Sequence, residues 1–283
     1  MADPRGTTAL VTGATGGIGL WTALGLMRTG ADVIIAGRSP ERLARSAAWL
    51  AQQSGRAAPH AEQADFASLR AVRDLAVRLS MRRDRLDLLV NNAGLITRTR
   101  EVSRDGYEMI FAVNHLAPFV LTRALLPMLR RAPHARIVTV ASTAHQRGQM
   151  HWNDLMLERG WSPMRAYAQS KLANILFTVE LARRQTGSGI TANAVHPGVV
   201  GTGFGEVGGT LGLLWTVIKP FLVSPEKGAR TSLYVANAPA LDGVSGQYFA
   251  DSRPAVPRPQ ARDTAAAERL WAESERLAGR VLQ

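Results

Sequence analysis

Residues 8–19 read TALVTGATGGIG, a short β-prone run that passes without a break into a glycine-rich turn. Gly13, Gly17 and Gly19 fall at GxxxGxG spacing, and over residues 18–28 the apolar side chains recur at helical intervals. Glycine lacks a Cβ, so it permits a tight strand-to-helix turn and lets other groups approach the backbone. Strand, glycine turn and helix in this order form the opening unit of a doubly wound α/β sheet.

Working outward, the alternation continues. Asp32–Gly37 (DVIIAG) reads as a second buried strand, and the helix after it opens with Ser39 as N-cap, Pro40 at the first position and Glu41 in the first turn. Further strands are predicted at 60–63, 86–90, 136–140, 191–195 and 246–250. Helices are predicted at 68–80, at 106–130 with Asn114 and Pro127 inside it, after Ser162-Pro163, and after Ser224-Pro225. Such alternation implies right-handed βαβ crossovers and a Rossmann-type α/β fold, a parallel sheet of about seven strands with helices on both faces. No internal repeat or linker divides the chain, so residues 1–283 read as a single domain with its core in 7–250. The tail, 251–283, carries three prolines and then a helical stretch, 264–278, expected to lie on the outside or fray.

Composition narrows the chemistry. With no cysteine in 283 residues, disulfides, thiolate catalysis and cysteine-ligated zinc are excluded, and a reducing compartment fits. His145, His151 and His196 have no metal-ligand spacing, so no metal is expected. The formal net charge of +12 raises the question of nucleic acid, but arginines at 82, 83, 85, 130, 131, 183 and 184 fall where predicted helices end and complement the helix dipole. No nucleic-acid motif accompanies them, and an anionic small ligand uses the same charge. The opening MADPRGTTALVTG is too polar for a signal peptide or anchor, and the longest later apolar run, 211–218, falls far short of the roughly 20 residues that span a bilayer. A cytoplasmic protein is expected.

In such a sheet ligands bind beyond the carboxyl ends of the strands. Gly13, Arg38, Asp65, Asn92, Ser142 and Pro197 all fall there on this reading. The glycine turn suits a pyrophosphate lying against the helix N-terminus. Where an NAD site has an acid after the second strand, this chain has Arg38, with Arg42 one turn on; a guanidinium pairs with a 2′-phosphate, so NADP(H) is the expected cofactor. The plainer reading of Arg38 is an exposed arginine in an arginine-rich chain.

Residues 166–174, AYAQSKLAN, set Tyr167 and Lys171 four apart on one helix face. A phenol with a pKa of about 10 is a poor proton donor near neutrality, and a neighbouring ammonium is expected to bring it down. Alone, a YxxxK pair is more simply a surface tyrosine and a solvated lysine. Of 34 basic residues, however, only Lys171, Lys219 and Lys227 are lysines, which marks position 171 as a site where a compact point charge is wanted.

With TGATGGIG, Asp65, NNAG (91–94), Asn114, Ser142, YAQSK and HPG (196–198) in order, the chain resembles the short-chain dehydrogenase/reductase family over about residues 7–250. The stretches DGYEMIFAVNHLAPFVLT, RIVTVASTAH, MHWNDL and YAQSKLANILFTVELAR are most similar to its retinol dehydrogenase and WW-domain oxidoreductase branch. The resemblance implies that Tyr167 is the general acid or base, that Lys171 lowers its pKa and binds the nicotinamide ribose, and that Ser142 hydrogen-bonds the substrate oxygen. It implies that Asn114 holds a water in a proton relay. Gly13, Thr15, Gly16, Gly17, Ile18 and Gly19 would cradle the cofactor, Asp65 and Phe66 would meet the adenine, and Asn92, Ala93 and Gly94 would line the cleft. Pro197, Gly198, Val200 and Thr202 would close over the nicotinamide. Each has a plainer rival: Ser142 as a strand-end hydroxyl, Asn114 as a kink residue beside Pro118, Asp65 as a helix-entry acid. Two departures from the branch are Thr15-Gly16, where Asn-Thr is common, and the lack of a membrane helix ahead of the glycine turn.

Substrate choice is expected from 143–164 and from 199–223, the latter a glycine-rich apolar lid suited to a hydrophobic aldehyde, ketone or alcohol. Trp152, Trp161 and Trp215 are candidate liners, and the lid with Lys219 also suits peripheral contact with a membrane. Two other functions stay open: a non-catalytic NADP(H)-sensing protein, and a reductase of conjugated double bonds. Helices 106–130 and 164–185 are the expected faces of any homodimer.

Overall fold

A computed structural model describes residues 6–198 and 224–282. In chain order the elements are β1 (Thr8–Thr12), α1 (Gly17–Arg28), β2 (Asp32–Gly37), α2 (Pro40–Ser54), β3 (His60–Gln63), α3 (Leu69–Arg82) and β4 (Leu88–Asn91). Then come α4 (Met109–Phe111), a π-helical turn Ala112–Leu116, α5 (Ala117–Leu129), β5 (Ala135–Val140), α6 (Pro163–Arg184) and β6 (Ile190–His196). The chain finishes with α7 (Pro225–Asn237), β7 (Tyr248–Ala250), β8 (Arg253–Ala255) and α8 (Thr264–Leu282).

The sheet order is β3-β2-β1-β4-β5-β6-β7-β8, so the direction of winding reverses between β1 and β4, where a crevice opens at the carboxyl ends. Alternate residues of each strand enter opposite layers. Leu10, Ile34, Leu89 and Ile137 pack under α3, α5, α6 and α8, while Val11, Ile35, Val90 and Val138 pack under α1, α2 and α7. Burial on both faces explains why these strands read as unbroken apolar runs. Caps set the helix starts: the hydroxyls of Ser39, Ser68, Ser162 and Ser224 accept from the backbone N–H three residues on.

The sheet has eight strands, in line with the about seven expected, and the last pair, antiparallel rather than parallel, sets Ala250 opposite Arg253. Asp251 and Ser252 form the two-residue turn with φ of 50° and 56°. No glycine signals this turn, and Pro254 inside β8 is tolerated because the strand sits on the sheet edge. The tail helix does not fray but packs by one face, with Leu270, Trp271 and Ala278 of α8 buried in the main core. Trp271 meets Phe119 edge-on at 5.0 Å and stacks on Phe177 at 6.0 Å. It therefore covers the very helices expected to pair two copies. The helix predicted at 106–130 starts at Met109 and carries the π-helical turn around Asn114.

Several arginines at helix ends are ion-paired within the fold: Arg78 and Arg82 on Glu62 at 2.9 and 2.8 Å, Arg83 on Asp32 at 2.6 Å, Arg183 and Arg184 on Glu180 at 2.7 and 2.6 Å. Among the described residues, by length and composition one helical stretch, Met109–Leu129, is long and apolar enough to cross a membrane, and most of it is buried inside the fold.

Candidate active site

The glycine turn is built for close approach. Gly13 has φ 67°, and a Cβ there would sit 2.8 Å from Ala93 Cα. A Cβ on Gly19 would sit 2.4 Å from Asn92 Nδ2 and 2.5 Å from Gly13 O. The NNAG segment is tied to this turn, since Asn92 Nδ2 donates to Thr12 O at 2.8 Å and the N–H groups of Asn92 and Ala93 both donate to Thr12 Oγ1 at 3.0 Å. Thr12 is thus a site-building residue that sequence reasoning missed. Helix α1, unlike α2, α3, α6 and α7, has no side-chain cap, and its first turn carries no acid. Its amides, with Thr15, Gly16, Gly17 and Ile18 around them, present a positive helix end at the switch point.

Arg38 follows β2 and is exposed, and its carbonyl takes the Gln63 amide at 3.2 Å. Arg42 reaches back across the turn to Thr15 O at 3.4 Å. The Arg42 guanidinium therefore sits at the glycine turn, and Arg38 stands directly after β2, where an NAD site would have a carboxylate. Asp65, at the end of β3, accepts the Ala67 N–H at 3.1 Å and lies 3.6 Å from Arg104; Phe66 beside it is buried.

Asn114 is fully buried, and both amide hydrogens serve the protein. They go to Leu95 O and Ser170 Oγ, each at 3.0 Å, while Oδ1 accepts the Leu95 N–H at 2.8 Å. The side chain fastens the loop after β4 to the Tyr167 helix. The π-helical turn, with its wider backbone, sets Asn114 facing both. A Cβ on Gly94 would lie 3.2 Å from Asn114 Oδ1 and 3.7 Å from Lys171 Nζ, so Gly94, Asn114 and Lys171 meet at one place.

Ser142, Tyr167 and Lys171 do come together. Ser142 opens a 3-10 turn (Thr143–Arg147) and hydrogen-bonds the Tyr167 side chain. Lys171 is buried, donates to Val140 O at 2.9 Å, and holds its ammonium 5.5 Å from the Tyr167 ring centre. Burial is the dominant influence on both groups of this pair. It raises the Tyr167 phenol above the usual range, with the Ser142 hydrogen bond opposing, and pushes the Lys171 ammonium down to about 8.

Beside Tyr167 stands an apolar wall of Leu95, Ile96, Ile110, Leu157 and Trp161. Trp161 is anchored through its indole N–H to the buried Glu108 at 3.1 Å, another residue the sequence did not single out. Trp152 is a packing residue, with the Arg269 guanidinium 4.5 Å from its ring centre. Pro197 and Gly198 follow β6 at the same edge, whereas Val200, Thr202, Trp215 and the expected lid, 199–223, lie outside the described residues. A hollow of about 280 Å³ opens at the other edge of the sheet, by Arg136 and Asp242, far from these groups. Arg136 there is engaged by Val235 O, Ala236 O and Asp242, so chemistry rather than volume marks the site.

A switch-point crevice with a bare helix end and a serine, tyrosine and lysine at its lip defines a nicotinamide-dependent oxidoreductase class. A family model described as short chain dehydrogenase matches residues 7–207, and the chain belongs to that family. It is 41% identical to retinol dehydrogenase 13 of Homo sapiens over 285 residues, covering 97% of this chain and 85% of that protein. It is 42% identical to dehydrogenase/reductase SDR family member 13 of Homo sapiens over 290 residues, covering 99% and 75%. A crystal structure of an uncharacterized protein from Mycobacterium paratuberculosis superposes with a TM-score of 0.79 at 33% identity, covering 98% and 96%. The chain is thus an oxidoreductase of the retinol dehydrogenase-like branch, acting on CH–OH or C=O groups with a nicotinamide cofactor.

Proposed function

We propose that the protein is an NADP(H)-dependent oxidoreductase that interconverts an apolar aldehyde or ketone and its alcohol, with Tyr167 as the proton donor or acceptor. The observation that carries this reading is the meeting of Ser142, Tyr167 and Lys171 beside the apolar wall of Leu95, Ile96, Ile110, Leu157 and Trp161.

The dinucleotide fits this chain's residues: the cradle at Gly13 and Gly19 tolerates no side chain, and the uncapped α1 end suits a pyrophosphate. Thr15 to Ile18 would hold that group, Arg38 and Arg42 a 2′-phosphate, Asp65 and Phe66 the adenine, and Asn92 to Gly94 with Pro197, Gly198, Val200 and Thr202 the nicotinamide end. When bound, the cofactor supplies or accepts the hydride.

The remaining steps belong to side chains. Ser142 donates a hydrogen bond to the substrate oxygen and holds it beside Tyr167. In reduction, Tyr167 passes its hydroxyl proton to that oxygen; in oxidation it takes the proton back. Lys171, still charged at neutral pH with its ammonium near 8, offsets the phenolate that forms.

Following NADPH oxidation against a panel of apolar aldehydes and ketones tests the proposal. Turnover is expected with NADPH over NADH, with that preference lost in Arg38→Asp. Tyr167→Phe should abolish turnover and leave NADPH binding nearly intact; full turnover without the phenol would refute the role given to it. NADPH binding without turnover on any substrate would make the protein a sensor, and a saturated product with its carbonyl intact would make it a double-bond reductase.

A further inference from the structure

The peptide unit joining Ser142 to Thr143 is gripped at both ends by buried histidines. Its carbonyl oxygen, that of Ser142, lies 2.6 Å from His145 Nδ1. Its N–H, that of Thr143, donates to His196 Nδ1 at 3.3 Å. An oxygen that can only accept requires a hydrogen on His145 Nδ1, and an amide that can only donate requires a bare lone pair on His196 Nδ1. The two rings therefore take opposite tautomers. The other nitrogen of His145 agrees, because Nε2 accepts the Arg258 N–H at 3.5 Å.

The grips come from different parts of the chain. His145 is fully buried on the 3-10 turn and meets Tyr248 edge-on at 5.1 Å. His196 is the last residue of β6. In a parallel ladder one strand donates at every second residue. Ala141 N–H donates to Val195 O at 2.8 Å, and the next donor in step, Thr143 N–H, finds the His196 imidazole. From the tail, Arg258 Nη1 closes the far end of the turn on Gln146 O at 2.8 Å and Gly148 O at 2.7 Å.

We propose that His145 and His196 are positioning residues that fix the plane of the Ser142–Thr143 peptide and so aim the Ser142 hydroxyl at the substrate oxygen. This rests on the reading of Ser142 in the proposed function. Ser142 sits in extended backbone at the end of a strand, and its Oγ already accepts the Ala144 N–H at 3.2 Å. A peptide plane free to rock would swing that Oγ out of line with Tyr167. Burial holds both imidazoles below the usual range, opposed at His145 by the Ser142 carbonyl and at His196 by Asp251, while Arg258 beside His145, and His145 beside His196, act with it. Both rings are therefore neutral at pH 7, as the clamp requires.

Asparagine carries an amide near the place of imidazole Nδ1, so it can replace the donor at 145 or the acceptor at 196. Leucine can do neither. In the full-length protein, His145→Leu and His196→Leu are expected to lower kcat about 10- to 100-fold with NADPH affinity nearly unchanged. His145→Asn and His196→Asn should restore most of it. Two readouts need no turnover: nitrogen-15 NMR should find Nδ1–H on His145 and Nε2–H on His196, and exchange of the Thr143 amide should be slow in the wild type and in His196→Asn but fast in His196→Leu. Matching tautomers, or leucine variants with wild-type kcat, would overturn the clamp. So would asparagine and leucine variants that lose kcat and thermal stability alike, which is the mark of a merely structural role. A wild type silent on every carbonyl would sink the proposed function, and tautomers and exchange would then decide the clamp alone.

Discussion

Lys171 carries the sharpest demand on residue type. Its side chain is only 4% exposed, its Nζ is already 2.9 Å from Val140 O, and even the Cβ absent from Gly94 would come within 3.7 Å of it. A planar guanidinium has no room there, which gives a physical reason for lysine in a chain that elsewhere uses arginine. Lys171→Arg is therefore expected to fail almost as fully as Lys171→Met, each lowering kcat by about 10²- to 10⁴-fold in steady-state assays. An arginine variant near wild-type turnover would mean that charge alone suffices and that the tight burial is incidental. The same burial explains why the phenol lies above its usual range although Lys171 is close by. Spacing reveals that a cation is near, but how far both groups leave water depends on Val140 and Gly94, which lie far away in sequence.

Elements whose causes are local were legible: α2 could be read from Ser39, Pro40 and Glu41 because a cap and a first-turn proline act within four residues. The β7–β8 hairpin was not, because its two-residue turn, Asp251-Ser252, runs at positive φ without the glycine that normally announces it. That omission should cost stability. Since the left-handed conformation costs an L-residue roughly 1 to 2 kcal/mol, part of which glycine's freedom in the unfolded chain returns, Ser252→Gly is expected to stabilise the protein by up to about 1 kcal/mol. In a chain of this size that is a rise of about 2 °C in thermal midpoint. The Ser252 N–H can keep its bond to Thr231 Oγ1, 3.2 Å away, because it is backbone. A lower midpoint would mean that the serine side chain contributes more than the turn conformation costs. The histidine grip on Ser142 was hidden for a related reason. His145 and His196 lack metal spacing, and only the sheet brings their rings to one peptide unit.

At the scale of the whole molecule, the tail helix changes the character of the interior. With α8 in place, His115 is sealed between the π-helical turn and Ser274, its Nε2 2.8 Å from Ser274 Oγ, with Phe111, Phe119 and Phe177 around its ring. Burial pushes its imidazole from the ordinary 6.5 down to about 3, and the Asn174 hydrogen bond only partly opposes this. In the unfolded chain the ring protonates near 6.5, so as pH falls below that value the unfolded state binds a proton the native state refuses. The stability conferred by keeping the ring neutral is whole above pH 6.5 and drains away down to about pH 3. His145 and His196, also lowered by burial, act in the same direction. The loss from His115 alone amounts to roughly 5 kcal/mol at the bottom of that window. Urea unfolding of the wild type between pH 7 and pH 4 should therefore give a steadily falling free energy, and His115→Phe, which keeps the aromatic bulk but cannot titrate, should flatten that slope. If the two proteins lose stability in parallel, the buried ring is not the group that acid attacks. The opening would then lie elsewhere, in the carboxylates of Glu62 and Glu180 that hold the arginine clusters.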